Sequence, residues 1–296
     1  MAGRGLAAYE RPPLLPARPL DGHKGTFGTV IIIGGCPTMP GAPALCARAA
    51  LRGGAGLARI AADREVLGLS LVIEPHATGI ELPDPPETGW LDSADPAGRA
   101  VLAVGPGMGK SARARATLET VLPDARPMVL DADGLNLLSD LCPDRIAAES
   151  NPNRGERILT PHPGEFARLV RALGLKPPEA TPKARSEAAV SLARRLGAVI
   201  VLKGANTVIA DGNDHWINPT GGPVLGVGGS GDVLTGLIAA LIAGGLTARD
   251  AARLGPWMHG AAAGLWRIEH GDAGLRASEL ADLLPRIADG LPRRIR

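Results

Sequence analysis

The stretch Gly226-Val-Gly-Gly-Ser-Gly-Asp232 runs straight into Val233, Leu234, Leu237, Ile238, Leu241 and Ile242, whose spacing is that of a helix. A glycine-rich turn that feeds a helix presents free backbone N–H groups and the positive end of the helix dipole, a combination that binds phosphate. Asp232 falls in the first helical turn, where an acid either stabilises the helix or serves as a catalytic carboxylate. The helix end favours its ionised form, which suits a proton acceptor of modest basicity. Gly226, Gly228 and Gly231 satisfy G-x-G-x-x-G, but the match lies late in the chain and follows no clear parallel strand. No acid closes a strand about 20 residues further on, so the dinucleotide fingerprint is rejected. The turn therefore belongs to a fold whose sheet lies upstream of it.

Upstream, short apolar runs at 29–33, 57–61, 101–104, 128–131, 157–160, 198–202 and 207–210 are each followed closely by Gly, Pro or Asp. Nearly continuous apolar character over four or five residues marks strands buried on both faces of a parallel sheet. Helix patterns at 42–52, 111–122, 134–141, 163–173 and 182–196 separate them, and 231–244, 247–268 and 277–287 follow without strands. The alternation predicts crossover connections and helices on both faces of a central sheet. Residues 207–210 and 215–217, joined through Gly212, predict an antiparallel hairpin at one edge. No linker or internal repeat interrupts the pattern, so the expectation is one α/β domain over 1–296, with 1–20 as an irregular Pro- and Arg-rich arm.

Composition agrees. The 296 residues carry 32 basic and 30 acidic side chains, with 45% apolar residues. A net charge of +2 and only seven aromatic residues leave neither the basic footprint nor the stacking platform of a nucleic-acid binder. The core must be built from Ala, Val, Leu and Ile. Cys36, Cys46 and Cys142 form no C-x-x-C or zinc spacing and suit a reducing compartment. The start lacks the apolar core of a signal peptide, and the longest apolar stretch, 233–246, is too short to span a bilayer. A cytoplasmic protein without membrane contact is expected.

Four further segments sit at predicted strand ends, where open α/β sheets collect ligands. Gly105-Pro-Gly-Met-Gly109 would let a ligand approach the backbone closely or would simply make a tight connection. Gly109-Lys-Ser111 resembles the end of a Walker motif, but Val104 stands where that motif needs glycine. Asp131, Asp133 and Asn136 could hold Mg²⁺, orient a hydroxyl or cap the next helix. In Thr160-Pro-His-Pro-Gly-Glu165, two prolines fix where His162 and Glu165 point. Lys203-Gly-Ala-Asn-Thr207 places a cation at a strand end within reach of a phosphate or ribose. No nucleophile elbow or Ser-His-Asp arrangement appears.

Taken in order, nine segments resemble the ADP-dependent NAD(P)H-hydrate dehydratases, a branch of the ribokinase-like superfamily. They are His23-Lys-Gly-Thr26, Ile33-Gly-Gly35, Gly41-Ala-Pro-Ala-Leu45, Gly105-Pro-Gly107, Leu130-Asp-Ala-Asp133, Leu159-Thr-Pro-His-Pro-Gly-Glu165, Val201-Leu-Lys-Gly204, Asn218-Pro-Thr-Gly221 and Gly228-Gly-Ser-Gly-Asp232. The resemblance runs from about 21 to 287 and lacks the family's partner epimerase domain, as in its stand-alone members. It implies a ribokinase-like three-layer fold, a mostly parallel sheet between two helical layers with an antiparallel edge.

The implied reaction returns the S-form hydrate of NADH or NADPH to the reduced dinucleotide, using ADP, or ATP in its place, with Mg²⁺. AMP and phosphate are the products when ADP is used. By the same resemblance Asp232 would be the base and Gly228, Gly229, Ser230 and Gly231 the anion hole. Ala42, Gly107, His162 and Asp232 would line the hydrate site. Lys203, Gly204, Ala205, Asn206, Thr207 and Gly231 would bind the adenine nucleotide. Glu165 would organise Mg²⁺ through water, with Asn136 a further metal candidate, and the assembly would be a homotetramer served by a separate epimerase. Gly222, Ser230, Gly134 and Gly264 depart from the usual Asn, Thr, Ala and Asp, and the first of these bears on one contact on the nucleotide side. Two other readings stand beside it: a ribokinase-like ATP-dependent kinase of a vitamin precursor or sugar, and a nucleotide-binding protein without catalysis.

Overall fold

In the computed structural model, which describes residues 12–146 and 155–293, Val30 and Ile32 face one side of β1 (Thr29–Ile33) while Ile31 and Ile33 face the other. All four are buried, so the strand is covered on both faces and its sequence reads as one apolar run. The same holds for β4 (Val101–Val104) and for β7 (Val199–Leu202). With β2 (Leu57–Ala62), β3 (Thr78–Glu81), β5 (Met128–Leu130) and β6 (Arg157–Leu159) they form the parallel part of the sheet. The antiparallel strands β8 (Val208–Ala210) and β9 (His215–Ile217) complete the order β3-β2-β1-β4-β5-β6-β7-β8-β9. The edge hairpin stands where the sequence predicts it.

One helical layer packs Ala47 of α1 (Gly41–Arg52), Leu237 of α8 (Ser230–Ala243), Leu254 of α9 (Ala248–His270) and Leu280 of α10 (Ala277–Asp289) onto the Val30 face. The opposite layer brings Leu118 of α4 (Ala112–Val121), Leu135 of α5 (Ala132–Leu141), Leu169 of α6 (Pro163–Ala172) and Leu192 of α7 (Pro182–Leu196) to the Ile31 face. Contact between α1 and α8 is close enough that a Cβ on Gly236 would lie 2.0 Å from the Cys46 carbonyl oxygen. Among the described residues no helix is long and apolar enough to cross a membrane.

The stretch between β2 and β4 departs from the sequence expectation, which placed no element there. It holds α2 (Arg64–Ile73), β3 and α3 (Trp90–Ala94). Three of the four β3 residues are exposed on this sheet edge, so the strand has no apolar run. Leu69, Val72 and Ile73 of α2 are exposed, which blurs its helical stripe. Of the N-terminal arm, residues 1–11 lie outside the described residues. Its remainder is irregular, anchored by buried Leu15, whose N–H donates to the Pro292 carbonyl at 3.0 Å.

Because β1 pairs with both β2 and β4, the winding direction reverses between β1 and β4 and opens a crevice at their carboxyl ends. The loops after β1 and β4 are tied together there by the Gly35 N–H, which donates to the Pro106 carbonyl at 2.8 Å. The carboxyl ends of β5, β6 and β7 continue the same rim.

Candidate active site

Asp131 follows β5 and is almost fully buried. Its side chain makes no cap on α5, the commoner fate of an Asp after a strand. Instead Oδ1 lies 2.6 Å from Lys203 Nζ at the end of β7, and Oδ2 accepts from Thr235 Oγ1 of α8 at 2.8 Å. Two strands and a helix far apart in sequence are thus locked at one point. Burial alone would raise this carboxyl, but the Lys203 charge overrides it and holds Asp131 below its ordinary value. Lys203 in turn loses by burial and gains more from Asp131 and Glu165, so its ammonium stays charged.

The glycine turn lies directly against this pair. A Cβ on Gly231 would sit 3.3 Å from Lys203 Nζ and 3.4 Å from Asp131 Oδ2. Gly229 has φ +87°, and a Cβ there would lie 2.7 Å from Leu45 Cδ1. Asp232, in the first turn of α8, is pushed up to about 7 by burial and by the negative charge of Asp131, against the pull of Lys203. This differs from the sequence expectation of a readily ionised, weakly basic acid: burial and a neighbouring carboxylate outweigh the helix end. Asp232 is the stronger base for it.

His162 and Glu165 stand at the start of α6, just after β6. His162 caps α6: its Nδ1 accepts the Gly164 N–H at 2.9 Å, and its own N–H donates to Glu165 Oε2 at 2.7 Å. Burial, with Lys203 and Arg168 adding, lowers the imidazole, which is neutral with its proton on Nε2. Burial pushes Glu165 up to about 7 even though Lys203 Nζ lies 3.9 Å away. Asp133 accepts the Gly109 N–H at 2.9 Å and so ties α5 to the loop after β4.

For a metal, the residues divide. Among the described residues no three His, Cys, Asp or Glu side chains converge to cage an ion. The Asn136 carbonyl oxygen is taken by the Arg168 guanidinium, so this candidate does not join Glu165. Mg²⁺ commonly keeps several waters and binds through one or two carboxylates plus phosphates. The buried Glu165 carboxylate, on an acid-rich rim, has the hard oxygen donors that such a cation takes.

On the other side of Gly231 a cavity of about 550 Å³ is lined by Lys203, Gly204, Ala205, Asn206 and Thr207 together with Gly231 itself. All six residues expected at the nucleotide therefore meet in one hollow of suitable size. The four residues expected at the hydrate, Ala42, Gly107, His162 and Asp232, do not line it. A Cβ on Gly107 (φ +59°) would lie 2.8 Å from the Ala42 Cβ, so these two meet at the β1–β4 crevice. The sequence reading missed that α9 contributes Pro256 and His259 to the cavity wall. A proline within a helical stretch was the available signal. At Gly222, φ is extended and nothing lies within 4 Å of a would-be Cβ, so the absence of Asn there has no steric cause.

The family model for NAD(P)H-hydrate dehydratase matches residues 30–286. The bifunctional NAD(P)H-hydrate repair enzyme Nnr of Moorella thermoacetica is 41% identical over 287 residues, covering 94% of this chain and 52% of that protein. This chain thus spans about half the length of the bifunctional relatives it matches. The ADP-dependent (S)-NAD(P)H-hydrate dehydratase of Bacillus subtilis is 38% identical, covering 92% of this chain and 93% of the relative. A crystal structure of the ADP/ATP-dependent NAD(P)H-hydrate dehydratase from Bacillus subtilis, co-crystallised with ATP and Mg²⁺, superposes with a TM-score of 0.74 at 35% identity. It covers 93% of this chain and 94% of that one. The architecture is ribokinase-like, as expected from the sequence.

Proposed function

The chain belongs to the NAD(P)H-hydrate dehydratase family, and on that premise we propose that it regenerates NADH or NADPH from the S-form hydrates, consuming ADP. The observation that carries the reading is Asp232, its carboxyl pushed up to about 7, directly after Gly231, which lies against the half-buried Lys203 ammonium and lines the cavity with it.

Asp232 takes the proton of the C6 hydroxyl as that oxygen attacks the β-phosphorus of ADP. The bond from the β-phosphorus to the bridging oxygen breaks and AMP departs. Backbone N–H groups of Gly228, Gly229 and Gly231 and the Lys203 ammonium stabilise the charge on the transferred phosphoryl group, while the Ser230 N–H is turned to the Val227 carbonyl. Phosphate then leaves C6 with the electron pair of its C–O bond, driven by the ring nitrogen, and loss of the C5 proton restores the dihydropyridine. Water need not be added at any step. Lys203 to Thr207 hold the adenine nucleotide, and Ala42, Gly107 and His162 border the hydrate. Mg²⁺ supplies charge neutralisation at the phosphates, and Glu165 would hold it through water. On this reading ATP could take the place of ADP.

The reading extends to a cytoplasmic homotetramer that works alongside a separate epimerase. The test is recovery of reduced-nicotinamide absorbance from chemically prepared NADH hydrate with Mg²⁺ and ADP, ATP or no nucleotide. Recovery that requires a nucleotide, and that Asp232→Asn abolishes while ADP still binds, is the expected result. A persistent phosphoester formed from ATP and a vitamin precursor or sugar, with no recovery, would overturn it in favour of a kinase.

A further inference from the structure

Four of the six residues from Gly226 to Gly231 are glycine, so the chain itself does little to fix where the N–H groups of this turn point. Preorganised donors are what such a turn must offer, and their direction has to be imposed from outside. Ser230 is where it is imposed. Its Oγ donates to the Leu225 carbonyl at 2.9 Å and its N–H reaches the Val227 carbonyl at 3.4 Å. Its own carbonyl lies 2.9 Å from Nε2 of His259, a buried residue of α9.

We propose that His259 is a positioning residue: by donating from Nε2 to the Ser230 carbonyl it registers the glycine turn of α8 against the α9 wall of the nucleotide cavity. The stretch of α9 that carries it is itself anchored. Asn218 Nδ2 donates to the Pro256 carbonyl at 3.1 Å, and Thr220 Oγ1 to the Trp257 carbonyl at 2.9 Å. At Gly260 a Cβ would lie 2.3 Å from Thr220 Oγ1, so the 218–221 loop presses directly on this turn of α9. One turn of α9 therefore holds two walls of the cavity, the loop through Asn218 and Thr220 and the phosphoryl-binding turn through His259. Burial pushes the imidazole down to about 4, which keeps it neutral and leaves Nε2–H as the donor to Ser230.

This rests on the reading of the α8 turn as the phosphoryl site, and two readouts keep the two ideas apart. His259→Leu removes the donor at similar volume, while His259→Gln can place an amide N–H near the position of Nε2. In ADP-saturated full-length protein, backbone hydrogen exchange of 226–234 should quicken about tenfold in His259→Leu and return towards wild type in His259→Gln. Turnover should follow, with kcat lowered about 10- to 100-fold in His259→Leu, less than the loss of an anion-hole donor itself. The KM for hydrate should change by less than about threefold, and the glutamine should recover most of kcat. Exchange in His259→Leu as slow as in wild type would overturn the proposal, as would equal impairment of the Leu and Gln variants. A wild-type protein that recovers no NADH would overturn the dehydratase reading alone, because the exchange experiment still decides the role of His259. If His259→Leu does not fold, His259→Asn, whose shorter amide stops short of Ser230, takes its place against His259→Gln.

Discussion

Asp131 and Lys203 are 72 residues apart in sequence and meet at 2.6 Å between Oδ1 and Nζ, with Asp131 almost wholly buried. Thr235 closes the group from α8, so the pair joins β5 to β7 and to the helix that carries Asp232. The pair costs desolvation, chiefly of Asp131, and removing the carboxylate leaves the half-buried Lys203 ammonium with the more distant Glu165 as counter-charge.

Asp131→Asn should therefore destabilise the protein by about 3 kcal/mol, the lower end of the range for breaking a buried pair, because the amide oxygen can still accept from Lys203. A fall in the urea midpoint at unchanged slope measures it. The variant should also lose activity, since a neutral hydrogen bond holds Lys203 next to Gly231 less firmly than the ion pair does. A midpoint equal to wild type would show that the pair adds nothing to the fold.

Activity should fall as the medium is acidified. A general base works only when ionised, so kcat/KM declines below the value of its carboxyl, here about 7 for Asp232. Glu165 is pushed to about 7 as well, and the two can be told apart by substitution. In Glu165→Gln the acid limb near pH 7 should persist, at lower overall rate. Its disappearance would assign the limb to Glu165 and leave Asp232 without evidence of ionisation in turnover.

Much of this molecule could be read from its chain, for a physical reason. Strands such as β1 and β4 are buried on both faces, so burial alone writes them as apolar runs. The glycine turn was legible because its N–H groups and the helix dipole are local properties. What could not be read depends on distant partners. Nothing near Asp131 says whether it caps α5, holds a metal or pairs with a lysine; the answer lies at 203 and 235. The rise of Asp232 to about 7 likewise follows from burial and from Asp131, neither visible in its own segment. His259 sits in a stretch that reads only as a late helix, and its partner is the carbonyl of Ser230. β3 escaped because an exposed edge strand has no apolar signature to leave.

The N-terminal arm should matter to stability and leave catalysis alone. Leu15 is buried and packs with the α1, α8 and α10 layer. Pro16 lies against Gly244 at the C-terminal end of α8, about 18 Å along the helix from Asp232 at 1.5 Å per residue. Leu15→Ala should cost about 2 kcal/mol, the low end for a buried leucine, because an irregular arm can settle into the space. Thermal unfolding and steady-state turnover below the transition test both halves, and a large drop in kcat would mean that the arm reaches the site.

The final prediction turns the rise of the Asp232 carboxyl into a statement about the fold. A carboxyl at about 7 in the folded state and near 3.8 when unfolded binds more protons folded than unfolded between those two values. Stability contributed by this group therefore falls as pH rises from about 4 to about 7 and stays low above that. Asp232→Asn removes the charge that burial and Asp131 oppose, so it should raise the melting temperature at pH 8. The gain should shrink steadily as pH is lowered from about 7 and vanish only below about 3, where wild-type Asp232 is protonated in both states. A site that gains stability when its base is neutralised holds that base at a cost to the fold. Equal melting temperatures of variant and wild type at pH 8 would show that Asp232 ionises as freely as an exposed acid, and would remove the physical basis for treating it as the proton acceptor poised near neutrality.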